Sequence, residues 1–333
     1  MTKTFGRLIA SAVAVMMISA ASSAFGQTPL RLRVTNQLPP SSAMSKGLEQ
    51  WKERVEKATQ GRVRVELYPN SQLYKDNEVV AAVQKKSIEM GLVVAGQFAS
   101  YDPIFSIFDL PGLFQSYDQT IKALDGDLGR NLSERLVRLG VYPLYWAQQG
   151  FVEIATTKRP IATPADLKGL KLRVHSKELG RMAQLVGAAP TTIAASEVST
   201  ALSQGTVDGL TTSISSYDAR KWFEGAPNVT NSKFGLIAIV IIMNNALWNS
   251  LPTDIKMAIA EASQAASTYS TQTVVQEENQ ILDRLSKAGV KVTQFDRAAR
   301  TDFEARTQPM YEEFYKVTNN SGHDLVKYVG AIK

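Results

Sequence analysis

The stretch that most strongly indicates the fold of this chain is residues 167–210, LKGLKLRVHSKELGRMAQLVGAAPTTIAASEVSTALSQGTVDGL. Lys171–Val174 alternates apolar and charged side chains, as a β-strand with one buried face does. Ser176 then caps a helix of apolar residues at helical spacing, which Gly187 can end in the left-handed conformation. A short extended run, a second helix after Ser196 and a third strand follow. This alternation is typical of a parallel sheet flanked by helices.

Arg173 is the residue in this stretch whose chemistry suggests a ligand site. It lies near the carboxyl end of its predicted strand, on the face opposite Leu172 and Val174. Ligands of open α/β sheets bind outside such strand ends, and a guanidinium matches a carboxylate with two parallel hydrogen bonds. The pattern alone is equally compatible with a surface or structural ion pair.

Several motifs resemble those of a known family. GLKLRV at residues 169–174, GAAP at 187–190 and GTVDG at 205–209, with FDLP at 108–111 and KRPI at 158–161, resemble the DctP family. Its members are the periplasmic solute receptors of tripartite ATP-independent periplasmic (TRAP) transporters. The resemblance implies a two-lobed α/β binding protein, each lobe a mostly parallel sheet flanked by helices, joined by crossing strands and a long helix. It also implies that the arginine at the position of Arg173 holds a small organic acid.

The beginning of the chain predicts export. Lys3 and Arg7 precede an apolar run over residues 8–21, and small residues follow up to Gly26. This is the layout of a signal peptide over residues 1–26, so we expect a periplasmic protein. A retained membrane anchor is the alternative, although the apolar run is short for a span.

The composition and the absence of known motifs exclude several classes of function. The chain has no cysteine, which excludes thiol catalysis and cysteine metal sites. Its formal charge is +6, but lysine and arginine are dispersed, so no nucleic-acid partner is predicted. No nucleotide, hydrolase or metalloprotease motif occurs, and we expect no cofactor, no metal and no enzymatic activity. An acid–base enzyme with carboxylates far apart in the sequence stays open.

The sequence predicts two lobes with a ligand cleft between them. We expect the first lobe to comprise residues 27–148 and about 240–270, and the second to comprise residues 149–239 and about 271–333.

Two further patterns support this division. Between Pro252 and Gly289 the chain contains no proline or glycine, which predicts one long helix; two helices broken near Ser270 are the alternative. Residues 78–89 also resemble residues 197–208, with acidic and apolar positions at the same offsets. We interpret this as two lobes of like architecture, a hypothesis that opposite helix–strand orders would contradict. Chance similarity is the alternative.

Two departures from the family pattern bear on the ligand. Many relatives carry a second arginine where this chain has Val152, and an asparagine where it has Thr212. Burying a second carboxylate without a cationic partner is costly. We therefore expect a monocarboxylate with a neutral tail, which could be an aromatic or a 2-oxo or 2-hydroxy acid.

The predicted ligand-binding residues combine Arg173 with polar groups at strand ends and aromatic side chains near the lobe crossings. They are Arg173, Thr212, Tyr217, Asn36, Gln148, Trp146, His175 and Asn244. The aromatic residues could equally belong to the core, and His175 could be a cap or surface residue.

The expected function is a receptor that delivers a small organic acid to the small and large membrane subunits of a TRAP transporter. The alternatives are a receptor for another importer or a sensor with the same fold, and an exported enzyme on a two-lobed scaffold.

Overall fold

The computed structural model describes residues 28–332, so the predicted signal peptide lies outside the described residues. The strands are, in chain order, β1 (Leu30–Thr35), β2 (Val63–Tyr68), β3 (Met90–Val94), β4 (Val141–Phe151), β5 (Glu153–Thr156), β6 (Lys171–Val174), β7 (Ala189–Thr192), β8 (Gly209–Thr212), β9 (Asn228–Asn231), β10 (Leu236–Asn244) and β11 (Lys291–Gln294). The α-helices are α1 (Ala43–Ala58), α2 (Val79–Gln84), α3 (Tyr117–Asp125), α4 (Asp127–Arg138), α5 (Lys177–Leu185), α6 (Val198–Ser203), α7 (Ile214–Ala219), α8 (Asn245–Ser250), α9 (Thr253–Lys287), α10 (Arg297–Thr307) and α11 (Pro309–Ala331).

The strands form two sheets, one in each lobe. The first has the order β2-β1-β3-β10-β4 and the second the order β11-β9-β5-β8-β6-β7. In the first sheet β1 is parallel to β2 and β3, and β10 is antiparallel to β3. In the second, β6 is parallel to β7 and β8, and β5 is antiparallel to β8. The predicted two-lobed α/β fold is therefore confirmed, with one reversed strand in each mostly parallel sheet.

The two lobes repeat one arrangement. In each, three parallel strands stand in the order second, first, third, and an antiparallel strand from elsewhere in the chain follows the third. Helix α2 leads into β3 just as α6 leads into β8, so the helix–strand order is the same in both units. The observed order agrees with the hypothesis drawn from residues 78–89 and 197–208. Equivalent strand ends therefore face each other across the gap between the lobes.

Two extended crossings connect the lobes. The first sheet ends its strand β4 at Phe151, and the second begins β5 at Glu153, so the chain changes lobe at Val152. The return occurs between β9 and β10, where Val152 N donates to Gly235 O at 2.8 Å and Phe234 N to Val152 O at 2.9 Å. The crossings are thus hydrogen-bonded to each other. Strand β10 is buried along its whole length, which explains its continuous run of apolar residues.

Helix α9 belongs to both lobes. It runs for 35 residues without a break at Ser270, about 52 Å at about 1.5 Å per residue, so the single long helix is confirmed. Near its beginning, Ser263 Oγ accepts a 3.0 Å hydrogen bond from the indole of Trp51 on α1. Near its end, Arg284 forms an ion pair with Asp218 on α7. None of the helices described within residues 28–332 is long and apolar enough to cross a bilayer.

The C-terminal helix lies in a different lobe from the one predicted. Residues 271–333 were assigned to the second lobe, but α11 packs on the first. Tyr311 Oη donates to Pro111 O at 2.8 Å, and Gln119 Nε2 donates to Val329 O at 2.9 Å. Phe314 and Val329 are buried there, so α11 covers apolar side chains of the first lobe. The end of α9, strand β11 and α10 lie with the second lobe as predicted, and Phe303 of α10 stacks on Phe234 at the crossing.

Candidate ligand-binding site

A small cavity lies between the lobes. The first lobe contributes Gln37, Leu38, Asp76, Val94 and Ile237, the crossing strand contributes Gln149, and the second lobe contributes Arg173, His175, Ala195, Thr212, Ser216, Arg220 and Trp222. Its volume is about 30 Å³, which is room for about two water molecules. The lobes are therefore closed on each other, and a ligand of several carbon atoms needs the cleft to open.

Arg173 is the buried cation at the end of strand β6. Its residue is 3% exposed, and its side chain is held by backbone carbonyls: Nε donates to Ile193 O at 2.9 Å and Nη1 to Thr211 O at 3.2 Å. No Asp or Glu among residues 28–332 forms an ion pair with it. Burial lowers the pKa of Arg173 to about 10, so the group stays charged at neutral pH. An oriented and uncompensated guanidinium is suited to binding a carboxylate.

A second guanidinium, that of Arg220, enters the same cavity from the end of α7. The Cζ atoms of Arg220 and Arg173 lie 5.1 Å and 5.9 Å from the ring centroid of Trp222. Arg220 Nη2 donates to Gln37 O of the opposite lobe. Its Nε is buried and has no hydrogen-bond partner among the described residues. Burial lowers the pKa of Arg220 to about 10, so the cavity contains two cations.

Asp76 is the one carboxylate among the cavity-lining residues. It is 6% exposed, and its Oδ2 accepts a 3.4 Å hydrogen bond from Ala195 N across the cleft. Its charge raises the pKa of Arg173 and of Arg220 against the larger effect of burial. His175 adds no charge at neutral pH, because burial and the neighbouring Arg173 lower its pKa to about 3. The lining residues therefore carry two positive charges and one negative charge.

The structure brings three of the predicted site residues together. Arg173, His175 and Thr212 all line the cavity. Tyr217 does not, because it is fully buried in the core of the second lobe, where its Oη donates to Ala226 O at 2.6 Å. Asn36 is a turn residue: its Nδ2 donates to Ser45 Oγ and its Oδ1 accepts from Leu38 N. Its neighbours Gln37 and Leu38, rather than Asn36, reach the cavity.

Three other predicted residues lie outside the cavity lining. Trp146 packs on Phe108 and donates its indole N–H to Ser133 Oγ at 2.9 Å. Gln148 is buried in β4, where neither amide atom has a partner among the described residues; Gln149 lines the cavity instead. Asn244 caps helix α8 and donates to Val83 O. It is seven residues along β10 from Ile237 of the cavity, about 23 Å at about 3.3 Å per residue.

Sequence reasoning missed Asp76 and Arg220 as site residues. An aspartate shortly before a helix is typical of an N-cap, but Glu78 holds the N-cap position of α2 and Asp76 lines the cleft. The similarity of residues 78–89 to residues 197–208 could have indicated it. Asp76 stands two residues before Glu78, just as Ala195 of the opposite lobe stands two residues before Glu197. Arg220 has no comparable signal, since a cation after a helix is usually a C-terminal cap residue.

Comparison with known proteins identifies the family. The model of the DctP family, bacterial extracellular solute-binding protein family 7, matches residues 34–318. The chain is 32% identical over 294 residues to the C4-dicarboxylate-binding periplasmic protein DctP of Rhodobacter capsulatus, with 86% of each chain covered. A TRAP periplasmic solute-binding protein from Sulfurospirillum deleyianum with bound succinate has a TM-score of 0.86 and 30% identity, covering 92% of this chain and all of that one. One from a Polaromonas species, bound to D-erythronate, has a TM-score of 0.86 and 27% identity, covering 91% and 99%.

The chain therefore belongs to the DctP family, and the class of protein that its fold and cleft define is the TRAP solute receptor for small organic acids. This family consists of binding receptors rather than enzymes, and the relatives named above are periplasmic proteins. The inference that the site lacks a second cation is wrong. It rested on Val152, whereas Arg220 supplies the charge from a different element. The prediction of a monocarboxylate with a neutral tail, such as an aromatic or a 2-oxo or 2-hydroxy acid, therefore loses its premise, and the similar structures hold succinate, a dicarboxylate, and D-erythronate, a sugar acid.

Proposed function

We propose that this protein is a periplasmic TRAP receptor that closes on a small polar organic acid, either a dicarboxylate or a sugar acid, and delivers it to the small and large membrane subunits. The observation that carries this proposal is Arg173. Its guanidinium is buried at a strand end, it borders a cavity shared by both lobes, and it forms no ion pair with an acidic side chain among the described residues.

The energetics favour a carboxylate as the group bound at Arg173. A hydrogen bond to a charged partner contributes about 1.5–3 kcal/mol, and leaving one charge buried without its partner costs more. The backbone carbonyls of Ile193 and Thr211 fix the guanidinium, so little side-chain entropy remains to be lost on binding. A site that binds one ligand carboxylate at Arg173 favours acids over neutral solutes.

The remaining lining favours a polar ligand body. Apolar contacts come from Leu38, Val94 and Ile237 on the first-lobe side, while the second lobe presents mostly hydroxyl, imidazole and guanidinium groups. The proteins described above bind succinate and D-erythronate, both of four carbons and both polar. A ligand that bonds groups of both lobes at once stabilises the closed state, as a receptor requires.

The test is ligand binding with an arginine series. The purified receptor is screened by thermal shift against small dicarboxylates and sugar acids, and the acid that co-purifies is identified by mass spectrometry. We expect Arg173→Ala to abolish the shift and Arg173→Lys to retain part of it, since Lys keeps the charge but not the bidentate geometry. Arg64→Ala, on an exposed strand position, is the control and should bind normally. Unchanged affinity in Arg173→Ala, or recovery of a chemically altered acid, would reject the proposal.

A further inference from the structure

The cavity contains a buried donor that no group of the described residues satisfies. Arg220 Nε has lost its contact with water and, within residues 28–332, has gained no acceptor in return. Buried polar atoms in native proteins nearly always have a partner, and one left without a partner marks a place where a ligand can supply it. The opposite lobe presents Asp76 to the same cavity.

We propose that Arg220 and Asp76 form a second recognition subsite, which selects a singly charged acid carrying hydroxyl groups over a dicarboxylate of the same length. This inference rests on the proposed function, in which Arg173 binds the carboxylate. It narrows the two ligand classes of that proposal to one. The subsite is built from both lobes, since Asp76 precedes α2 of the first lobe and Arg220 follows α7 of the second.

The charge balance of the cavity supports one ligand charge. Arg173 and Arg220 contribute two positive charges and Asp76 one negative charge, while the low pKa of His175 keeps it neutral. A monoanion therefore brings the buried site to zero net charge. A dianion leaves an excess negative charge in the same small volume, close to the carboxylate of Asp76. Uncompensated charge in a low-dielectric site is strongly unfavourable.

The hydrogen-bonding capacity of the two side chains supports a hydroxyl. A guanidinium only donates and an ionised carboxylate only accepts. A ligand hydroxyl can do both, accepting from Arg220 Nε while it donates to Asp76. A second ligand carboxylate can accept from Arg220 but faces Asp76 as a like charge, and an aliphatic tail satisfies neither group.

Both side chains of this subsite make contacts across the cleft, between the two lobes. Arg220 donates to Gln37 O, and Asp76 accepts from Ala195 N, so each side chain already reaches the opposite lobe. A hydroxyl bound between them adds bonds that exist only in the closed state. Recognition of the hydroxyl and closure of the lobes are therefore coupled.

The experiment compares D-erythronate, with one carboxylate and three hydroxyls, with succinate, which has the same number of carbons and two carboxylates. Calorimetric titration of the wild type should give tighter binding of D-erythronate. Asp76→Asn should weaken the binding of D-erythronate and strengthen the binding of succinate. The ratio of the two affinities should change by about tenfold or more, which is about 1.4 kcal/mol. Arg220→Lys keeps the charge but removes Nε, and it should weaken D-erythronate more than succinate. Asp125→Asn removes an exposed acid outside the cavity and should leave the ratio unchanged.

The outcomes separate this inference from the proposed function. One outcome is that Arg173→Ala binds neither acid while the ratio of D-erythronate to succinate affinity is the same in wild type, Asp76→Asn and Arg220→Lys. That result would overturn the subsite and leave the proposed function standing. Tighter wild-type binding of succinate would overturn the subsite too. Absence of binding by either acid to the wild type would reject the proposed function itself. Thermal melts of each variant without ligand establish that it is folded, and Arg220→Lys tests the subsite if Asp76→Asn does not fold.

Discussion

Lys75 of the first lobe and Glu197 of the second form an ion pair across the cleft, with Nζ and Oε1 2.7 Å apart. Lys75 lies just before α2 and Glu197 just before α6, the helices that occupy equivalent places in the two lobes. Asp76 and Ala195 make their own cross-lobe contact beside this pair. The lobes are therefore in contact here through residues that lie just before equivalent helices.

We predict that Lys75→Ala accelerates ligand release but has little effect on folding. Both partners are half exposed, so the ion pair is screened and its contribution is small. The dissociation rate measured by stopped flow should rise by less than about fivefold, with a smaller difference at high salt. The charge-swapped pair Lys75→Glu with Glu197→Lys should restore slow release. Equal rates in all variants would show that the pair does not stabilise closure.

A second prediction concerns Asp109, which is buried beside the second lobe and accepts a 3.0 Å hydrogen bond from Ser176 Oγ. Burial, together with nearby Glu178, raises the pKa of Asp109 to about 8 against the hydrogen bond from Ser176. An Asp in the unfolded chain has a pKa of about 3.9, so the folded protein binds one more proton than the unfolded chain between these two pH values. Stability should therefore fall as the pH rises from about 4 to about 8.

Asp109→Asn removes this titration while keeping the shape of the side chain. Its melting temperature should exceed that of the wild type by about 2 °C or more above pH 8, and the gain should vanish near pH 4. Melting curves over this pH range provide the measurement. Parallel pH profiles for wild type and variant would contradict the assignment of the proton to Asp109.

The third prediction concerns the lobe crossings, which Glu153 ties together. Its Oε2 accepts hydrogen bonds from the backbone N–H groups of Ser232 and Lys233 and from Ser232 Oγ. Glu153→Ala leaves these buried donors without an acceptor, and we expect a loss of about 1–3 kcal/mol in unfolding free energy. Glu153→Gln retains an acceptor and should lose less. Urea denaturation measures both, and equal losses would show that packing rather than hydrogen bonding matters here.

The fourth prediction is a distance change on binding. Lys85 and Gln204 are exposed and lie at the ends of the equivalent helices α2 and α6, one in each lobe. The chain has no cysteine, so introduced cysteines at these two positions are the only labelling sites. A ligand enters while the cleft is open and then stabilises the closed state, so the mean spin-label distance should shorten when ligand is added and should stay unchanged in the Arg173→Ala background. The same distance with and without ligand in the otherwise unmutated receptor would contradict closure.

Local structure around Arg173 was predictable because local patterns determine it. Strand β6 has the predicted bounds, Lys171–Val174, since alternation reports a strand with one buried face. Ser176 caps α5 as predicted, with its side chain accepting from Leu179 N. Both features are determined by residues that are adjacent in the sequence, so one sequence is enough to predict them.

The composition of the cavity was less predictable because it depends on how the lobes meet. Arg220 and Asp76 come from elements about 140 residues apart in the sequence, and no pattern pairs them. Tyr217 was predicted from its place near a lobe crossing and Asn244 from its place at a strand end. Neither position reveals which way a side chain points, and tertiary packing turned Tyr217 into the core and Asn244 into a cap.

The continuity of α9 constrains how the lobes can rotate. The helix contains no proline or glycine, so it can curve gently but has no site for a sharp kink. Because the same helix is hydrogen-bonded to Trp51 of the first lobe and ion-paired with Asp218 of the second, a rotation of the lobes has to bend this helix or break one of the two contacts.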